Sequence, residues 1–178
     1  MDETETATEN EPPRYSPNAI HMMRTTQLAH IQLSAMADQK ASILMGASFV
    51  IFTITVGQSR GAEAPLPLLI LGGFAFLSAI CAVMAVLPAF APRRRPPLNL
   101  LFFGSFGLLG EEEYVEQITA RLASDDSIYR TMARDIYQNG LVLERKKYRL
   151  LGYAYRIFLA GLTASFLVFV AQYLMHAF

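Results

Sequence analysis

Tryptophan is absent from this chain, cysteine occurs once, and charged residues make up only 17% of its 178 positions. The lone Cys81 excludes an intrachain disulfide framework, and no Cys/His group has the spacing of metal ligands. The scarcity of charge matters most because it is uneven. Residues 41–59, 64–92 and 157–178 contain no Asp, Glu, Lys or Arg at all. Each stretch is close to or longer than the roughly 20 apolar residues that a helix needs to cross a hydrocarbon core. A soluble domain of this length spreads its charges over the whole surface, so the pattern excludes an ordinary globular protein. It predicts an all-α membrane protein. Three transmembrane helices carry long cytoplasmic helical extensions and a small helical cytoplasmic segment.

Other absences narrow the chemistry. No Gly-rich phosphate loop is present, because 103–107 (FGSFG) lacks both the spacing and the following Lys. A serine elbow, an HExxH motif and a paired-acid constellation are also missing, so no enzyme, cofactor or metal is expected. Glu111-Glu112-Glu113 reads as the solvated first turn of a helix. Spans without ionisable residues argue against a proton- or ion-coupled transporter. The acidic, polar N-terminus lacks the basic and apolar regions of a secretory signal, so the first span is expected to act as its own insertion signal.

What is present is organised around those spans. Residues 1–15 are rich in Glu, Thr and Pro and are expected to form a disordered acidic tail. Residues 16–178 are expected to be a single domain. Its parts are a cytoplasmic helix 16–40, spans at 41–59, 65–90 and 157–177, and a cytoplasmic segment 91–156. Ser16-Pro17 reads as a helix start, with Ser as N-cap and Pro in the first turn. No proline follows until Pro65, which predicts one helix of about 40 residues and about 60 Å. Gly57 to Ala64 reads as a short polar turn. Within 91–156, the run 98–109 (LNLLFFGSFGLL) is expected to be irregular, and 111–123 an amphipathic helix. Asp125-Asp126-Ser127 is read as the cap of a last helix of about 50 residues, with Asn139-Gly140 as its weak point.

Arg93 to Arg156 holds eleven basic and eight acidic residues. Arg93-Arg94-Arg95 follows the second span, and Arg145-Lys146-Lys147-Tyr148-Arg149 precedes the third. Positive flanks face the cytoplasm, so the N-terminus and central segment are placed inside and the C-terminus outside. A lipid bilayer is the expected surrounding, and no nucleic acid is expected as a partner. Gly72, Gly73, Ala75, Ser78, Ala79 and Ala82, with Gly161, Ala164 and Ser165, offer small-residue faces suited to helix association. A homo-oligomer is therefore expected.

A helical wheel singles out charges on apolar faces. On the last helix, Glu144 and Lys147 fall amid Met132, Ile136, Leu143, Leu151 and Ala154, with Tyr137 and Tyr148 at the edge. Asp135 falls on the polar side. On the first helix, Asp38 continues a stripe of Ile20, Ile31 and Ala35. An isolated buried charge is too costly to persist, so Asp38 and Lys147 are expected to approach each other or a shared ligand at the membrane boundary. A permanent ion pair that fixes helix register is the alternative. Lys40, on the opposite face, reads as a lysine snorkelling to the headgroups. His21 and His30 read as surface or bundle residues.

An ordered set of short segments adds a resemblance. Ala37-Asp38-Gln39-Lys40-Ala41-Ser42-Ile43-Leu44 comes first, then Asn99-Leu100-Leu101-Phe102-Phe103-Gly104 and Glu113-Tyr114. Arg134-Asp135-Ile136-Tyr137 and Lys147-Tyr148-Arg149-Leu150-Leu151 complete it. Over roughly residues 18–175 the chain resembles the transmembrane effector family of the Pycsar anti-phage systems. The resemblance implies a partner pyrimidine cyclase that makes cyclic CMP or cyclic UMP. It also implies an effector that binds this nucleotide on the cytoplasmic side and then impairs the inner membrane, causing abortive infection. Such a ligand has one phosphate charge, a ribose hydroxyl and a flat base. Lys147 or an arginine of the last helix could meet the phosphate, Asp38 or Asp135 could accept from ribose or base, and Phe103, Tyr137 or Tyr148 could stack. The competing reading is a membrane-anchored scaffold or interaction subunit that binds no nucleotide.

Overall fold

The computed structural model describes residues 15–59, 65–87 and 98–177. The described residues are 87% helical and contain no strand. In chain order they form α1 (Ala19–Gln58), α2 (Leu66–Val86), α3 (Phe103–Phe106), α4 (Glu111–Arg121), α5 (Asp125–Val142), a π-helix (Leu143–Tyr148) and α6 (Arg149–Ala177). Three of the helical runs are long and apolar enough to cross a membrane: Ala19–Gln58, Leu66–Val86 and Asp125–Ala177. The expected tail before Tyr15, the tip of the 57–64 turn and the Arg93-Arg94-Arg95 cluster lie outside the described residues.

Local sequence accounts for most helix ends. The carbonyl of Ser16 accepts the Ala19 N–H at 2.9 Å, so α1 begins within two residues of the expected start. Pro65 and Pro67 open α2, where the Pro65 carbonyl accepts from Leu68 at 2.9 Å and Leu69 at 3.1 Å. Ser124, not Asp125, caps α5: its Oγ accepts the Ser127 N–H at 3.3 Å, and the two aspartates lie in the first turn. Asn139-Gly140 stays α-helical. The irregularity falls a few residues later, at Leu143–Tyr148, inside a helical run of 53 residues.

The chain divides into two compact units, Met1–His30 with Phe90–Asn139 and Ile31–Ala89 with Gly140–Phe178. The second, the span unit, is built from the later part of α1 together with α2, the π-helix and α6. Its core is Ala37, Ala41, Leu44, Ala82, Ala85, Leu151 and Ala154. Lipid tails are as apolar as leucine, so helices here associate through close packing of small residues rather than by hiding large ones. That rule corrects the expected stripe on α1. Ile31 and Ala35 are exposed, and the face turned inward carries Ala37, Ala41, Leu44, Ser48 and Thr55.

The small residues of α2 and α6 are used within one chain. A Cβ at Gly72 would meet Thr55 Oγ1 at 2.6 Å, and one at Gly161 would overlap the Phe74 side chain. Ser78 Oγ donates to the Ala154 carbonyl at 2.8 Å, and Ser165 Oγ to that of Pro67 at 2.7 Å. Phe76, Leu77, Ile80, Leu159, Phe166 and Leu167 point outward, where acyl chains would cover them.

Candidate functional site

At the polar edge of the span unit, Lys147 Nζ bonds three oxygens of α1: Asp38 Oδ2 at 2.7 Å, Asp38 Oδ1 at 2.8 Å and Ser34 Oγ at 2.7 Å. An ammonium has three protons, and all three are thereby engaged. The expectation that Asp38 and Lys147 meet is matched by this geometry. Their exposure differs: the Lys147 side chain is 20% exposed and that of Asp38 is 41%. Water or a dissolved anion therefore reaches the carboxylate side of the pair more readily than the ammonium. Ser34 and Asp38 sit four residues apart on one helical face, a spacing visible in the sequence.

The neighbours of Lys147 in the π-helix also reach across. Lys146 Nζ donates to the carbonyl of Leu87, which caps α2, at 2.6 Å. Tyr148 donates its hydroxyl proton to the Leu33 carbonyl of α1 at 3.2 Å. Three consecutive side chains thus hold two other elements. Glu144, expected to face inward, is exposed, whereas Leu143 beside it is buried. A wheel with a fixed step of about 100° cannot describe both sides of a π turn, which adds a residue to the register.

The other unit has its own polar centre at Asp135. The wheel sets this residue on the polar face, yet it is only 5% exposed. Its Oδ1 accepts from Asn139 Nδ2 at 2.8 Å and Asn99 Nδ2 at 2.9 Å, and its Oδ2 from Gln27 Nε2 at 3.0 Å. Three amide donors from α1, the 98–102 turn and α5 solvate the carboxylate in place of water, which is what burial of this group requires. Asn99 Oδ1 in turn accepts the Leu101 N–H at 3.0 Å, fixing that turn. Only Asn139, four residues along the same helix, was signalled by sequence; Gln27 and Asn99 arrive from more than 30 residues away.

The remaining expected site residues are spread over both units. Tyr148 shares the span unit with Asp38 and Lys147. Phe103 and Tyr137 belong to the unit of Asp135, both with exposed rings; Phe103 lies against Phe102 with ring centroids 5.0 Å apart. Tyr137 lies two residues beyond Asp135, and so about 200° round the helix from it.

A third cluster escaped the sequence reading. Tyr15 donates to Asp126 Oδ1 at 2.6 Å and packs on Tyr129 at 4.5 Å, while Arg130 donates to Asp126 Oδ2 at 2.7 Å. Hydrogen bonds from Arg130 and then Tyr15 hold the Asp126 carboxyl below its ordinary range. The bond to Asp126 raises the Tyr15 phenol above its own.

The family profile described as the Pycsar effector protein domain matches residues 21–175, and the chain belongs to that family. No curated protein and no solved structure matches it.

Proposed function

We propose, from membership of the Pycsar effector family, that this multi-pass membrane protein is a non-enzymatic anti-phage effector gated by a cyclic pyrimidine nucleotide. Cyclic CMP or cyclic UMP from a partner cyclase binds on the cytoplasmic side, and the spans then impair the integrity of the inner membrane. The observation that carries this reading is the Lys147–Asp38 pair: a lysine at the rim of an apolar three-helix unit, neutralised by a half-exposed carboxylate. A ligand phosphate has the charge and the acceptor oxygens to take the place of Asp38 on that ammonium. Tyr148, next in the chain, is the aromatic ring best placed to pack against the base.

The Arg145-Lys146-Lys147 and Arg149 flank supports a cytoplasmic position for this rim, with the C-terminus outside. Three spans are too few to line a wide pore, so membrane damage would need several copies. Under the second reading, a scaffold that binds no nucleotide, the pair is permanent. In its favour, all three Lys147 protons are already satisfied within the chain.

Thermal unfolding of the full chain in bilayer nanodiscs separates the two. Cyclic CMP or cyclic UMP should raise the midpoint in a saturable way, linear CMP should not, and the effective nucleotide should release dye from vesicles carrying the protein. If neither cyclic nucleotide shifts the midpoint or releases dye, the gated-effector reading fails.

A further inference from the structure

We infer that the π-helix Leu143–Tyr148 is a register latch: its side-chain grips hold one surplus residue in the helix, and their release turns the third span. The inference goes beyond the proposed function and stands on packing within the span unit.

A π turn takes in about one residue more than an α turn and is intrinsically unfavourable, so it persists only where surrounding contacts hold it. Here the holding contacts come from three consecutive side chains. Lys146 fastens to the Leu87 carbonyl, Lys147 to Asp38 and Ser34, and Tyr148 to the Leu33 carbonyl. Residues of a π turn step about 80° rather than about 100°, which keeps three consecutive side chains within reach of the same two neighbours. The segment contains no proline or glycine (Leu-Glu-Arg-Lys-Lys-Tyr), so nothing in its own backbone chemistry forbids an α-helix.

The consequence of release follows from helix geometry. If the segment relaxes to α without unwinding elsewhere, every residue beyond it turns by about 100° and advances by about 1.5 Å relative to residues 140–142 just before it. Each position on the α2-facing side of α6 then passes to the residue one earlier in the chain. The place of Ala154, 0% exposed and bonded through its carbonyl to Ser78, would go to Tyr153. The place of Gly161, where even a Cβ would overlap Phe74, would go to Ala160. Neither fits the existing seam, so the α register can form only as α2 and α6 move apart. The latch therefore couples a polar contact at the rim to the tightest packing in the spans. An anion that draws Lys147 away from Asp38 would trip it, and this clause alone rests on the proposed function.

The test needs no ligand. In the full chain with Cys81→Ser, in native membranes, Ser78→Cys is paired with either Ala154→Cys or Tyr153→Cys and oxidised. In the parent, the 154 pair should cross-link and the 153 pair should not. Adding Lys147→Met should lower the 154 cross-link and raise the 153 cross-link, shifting their ratio by about fivefold. Lys147→Arg, which keeps the charge, should retain the parent pattern. Should Lys147→Met fail to fold by circular dichroism, Asp38→Asn takes its place with the same expectation. The inference is overturned if the 154 preference survives in the folded variant, or if the 154 cross-link falls without a gain at 153. A shift in Lys147→Arg as large as in Lys147→Met overturns it as well.

Discussion

The Lys147–Asp38 pair predicts an asymmetry between two truncations that remove the same interaction. Exposed ion pairs contribute about 0–1 kcal/mol, whereas orphaning one member of a fully buried pair costs about 3–5 kcal/mol. Lys147, 20% exposed, lies nearer the buried limit, and Asp38, 41% exposed, nearer the surface limit. Asp38→Ala leaves the more buried ammonium with Ser34 Oγ as its one remaining partner among the described residues, and should cost about 2–3 kcal/mol. Lys147→Met leaves a carboxylate that water can reach and keeps an apolar stem in place, so it should cost only about 1 kcal/mol. The double variant orphans nothing and should recover about 1–2 kcal/mol relative to the sum of the singles. Helicity of the purified protein in mixed micelles, followed against SDS fraction, gives all three values. If Lys147→Met costs as much as Asp38→Ala, or the coupling is below about 0.5 kcal/mol, the assignment of burial and charge at this rim is wrong.

Gly161→Ala places a Cβ on the Phe74 side chain and should destabilise the spans by about 1–3 kcal/mol, while Gly73→Ala, with nothing within 4 Å, should be neutral or mildly stabilising in the same unfolding assay. Asp135→Ala orphans three amide donors and should cost about 2–4 kcal/mol, with faster hydrogen exchange of the Leu101 amide as the local readout. The Asp126 carboxyl is held low by Arg130 and Tyr15, so its stabilising effect is complete above the ordinary carboxylate value and disappears as pH falls through the depressed one. The Tyr15 phenol is held high by Asp126, so its effect is present below its ordinary value of 10.0 and is lost as pH rises past the raised one. An NMR titration of the Tyr15 ring should move to lower pH in Asp126→Asn; no movement refutes the Tyr15–Asp126 bond.

The architecture was legible in the sequence because its causes are local and one-dimensional. Uncharged runs of bilayer length, prolines at the start of the second span and the long proline-free run before it need no knowledge of partners. The meeting of Asp38 with Lys147 was legible for a related reason: each is a charge amid an apolar face at a span boundary, and such a charge must find a partner. The rest depended on which elements come together. Asp135 reads as a surface residue until Gln27 and Asn99 arrive from distant positions to solvate it. Ile31 outcompetes Ala37 for burial on a hydrophobicity scale, but close packing against α2 and α6 selects the smaller side chain. The π turn is invisible to any fixed-period wheel, and it decides which face of α6 meets α2, and so where Glu144, Lys147 and Ala154 point. Sequence alone determined which three stretches could cross a membrane. Tertiary structure decided their register, because register is set by contacts between side chains that no single helix contains.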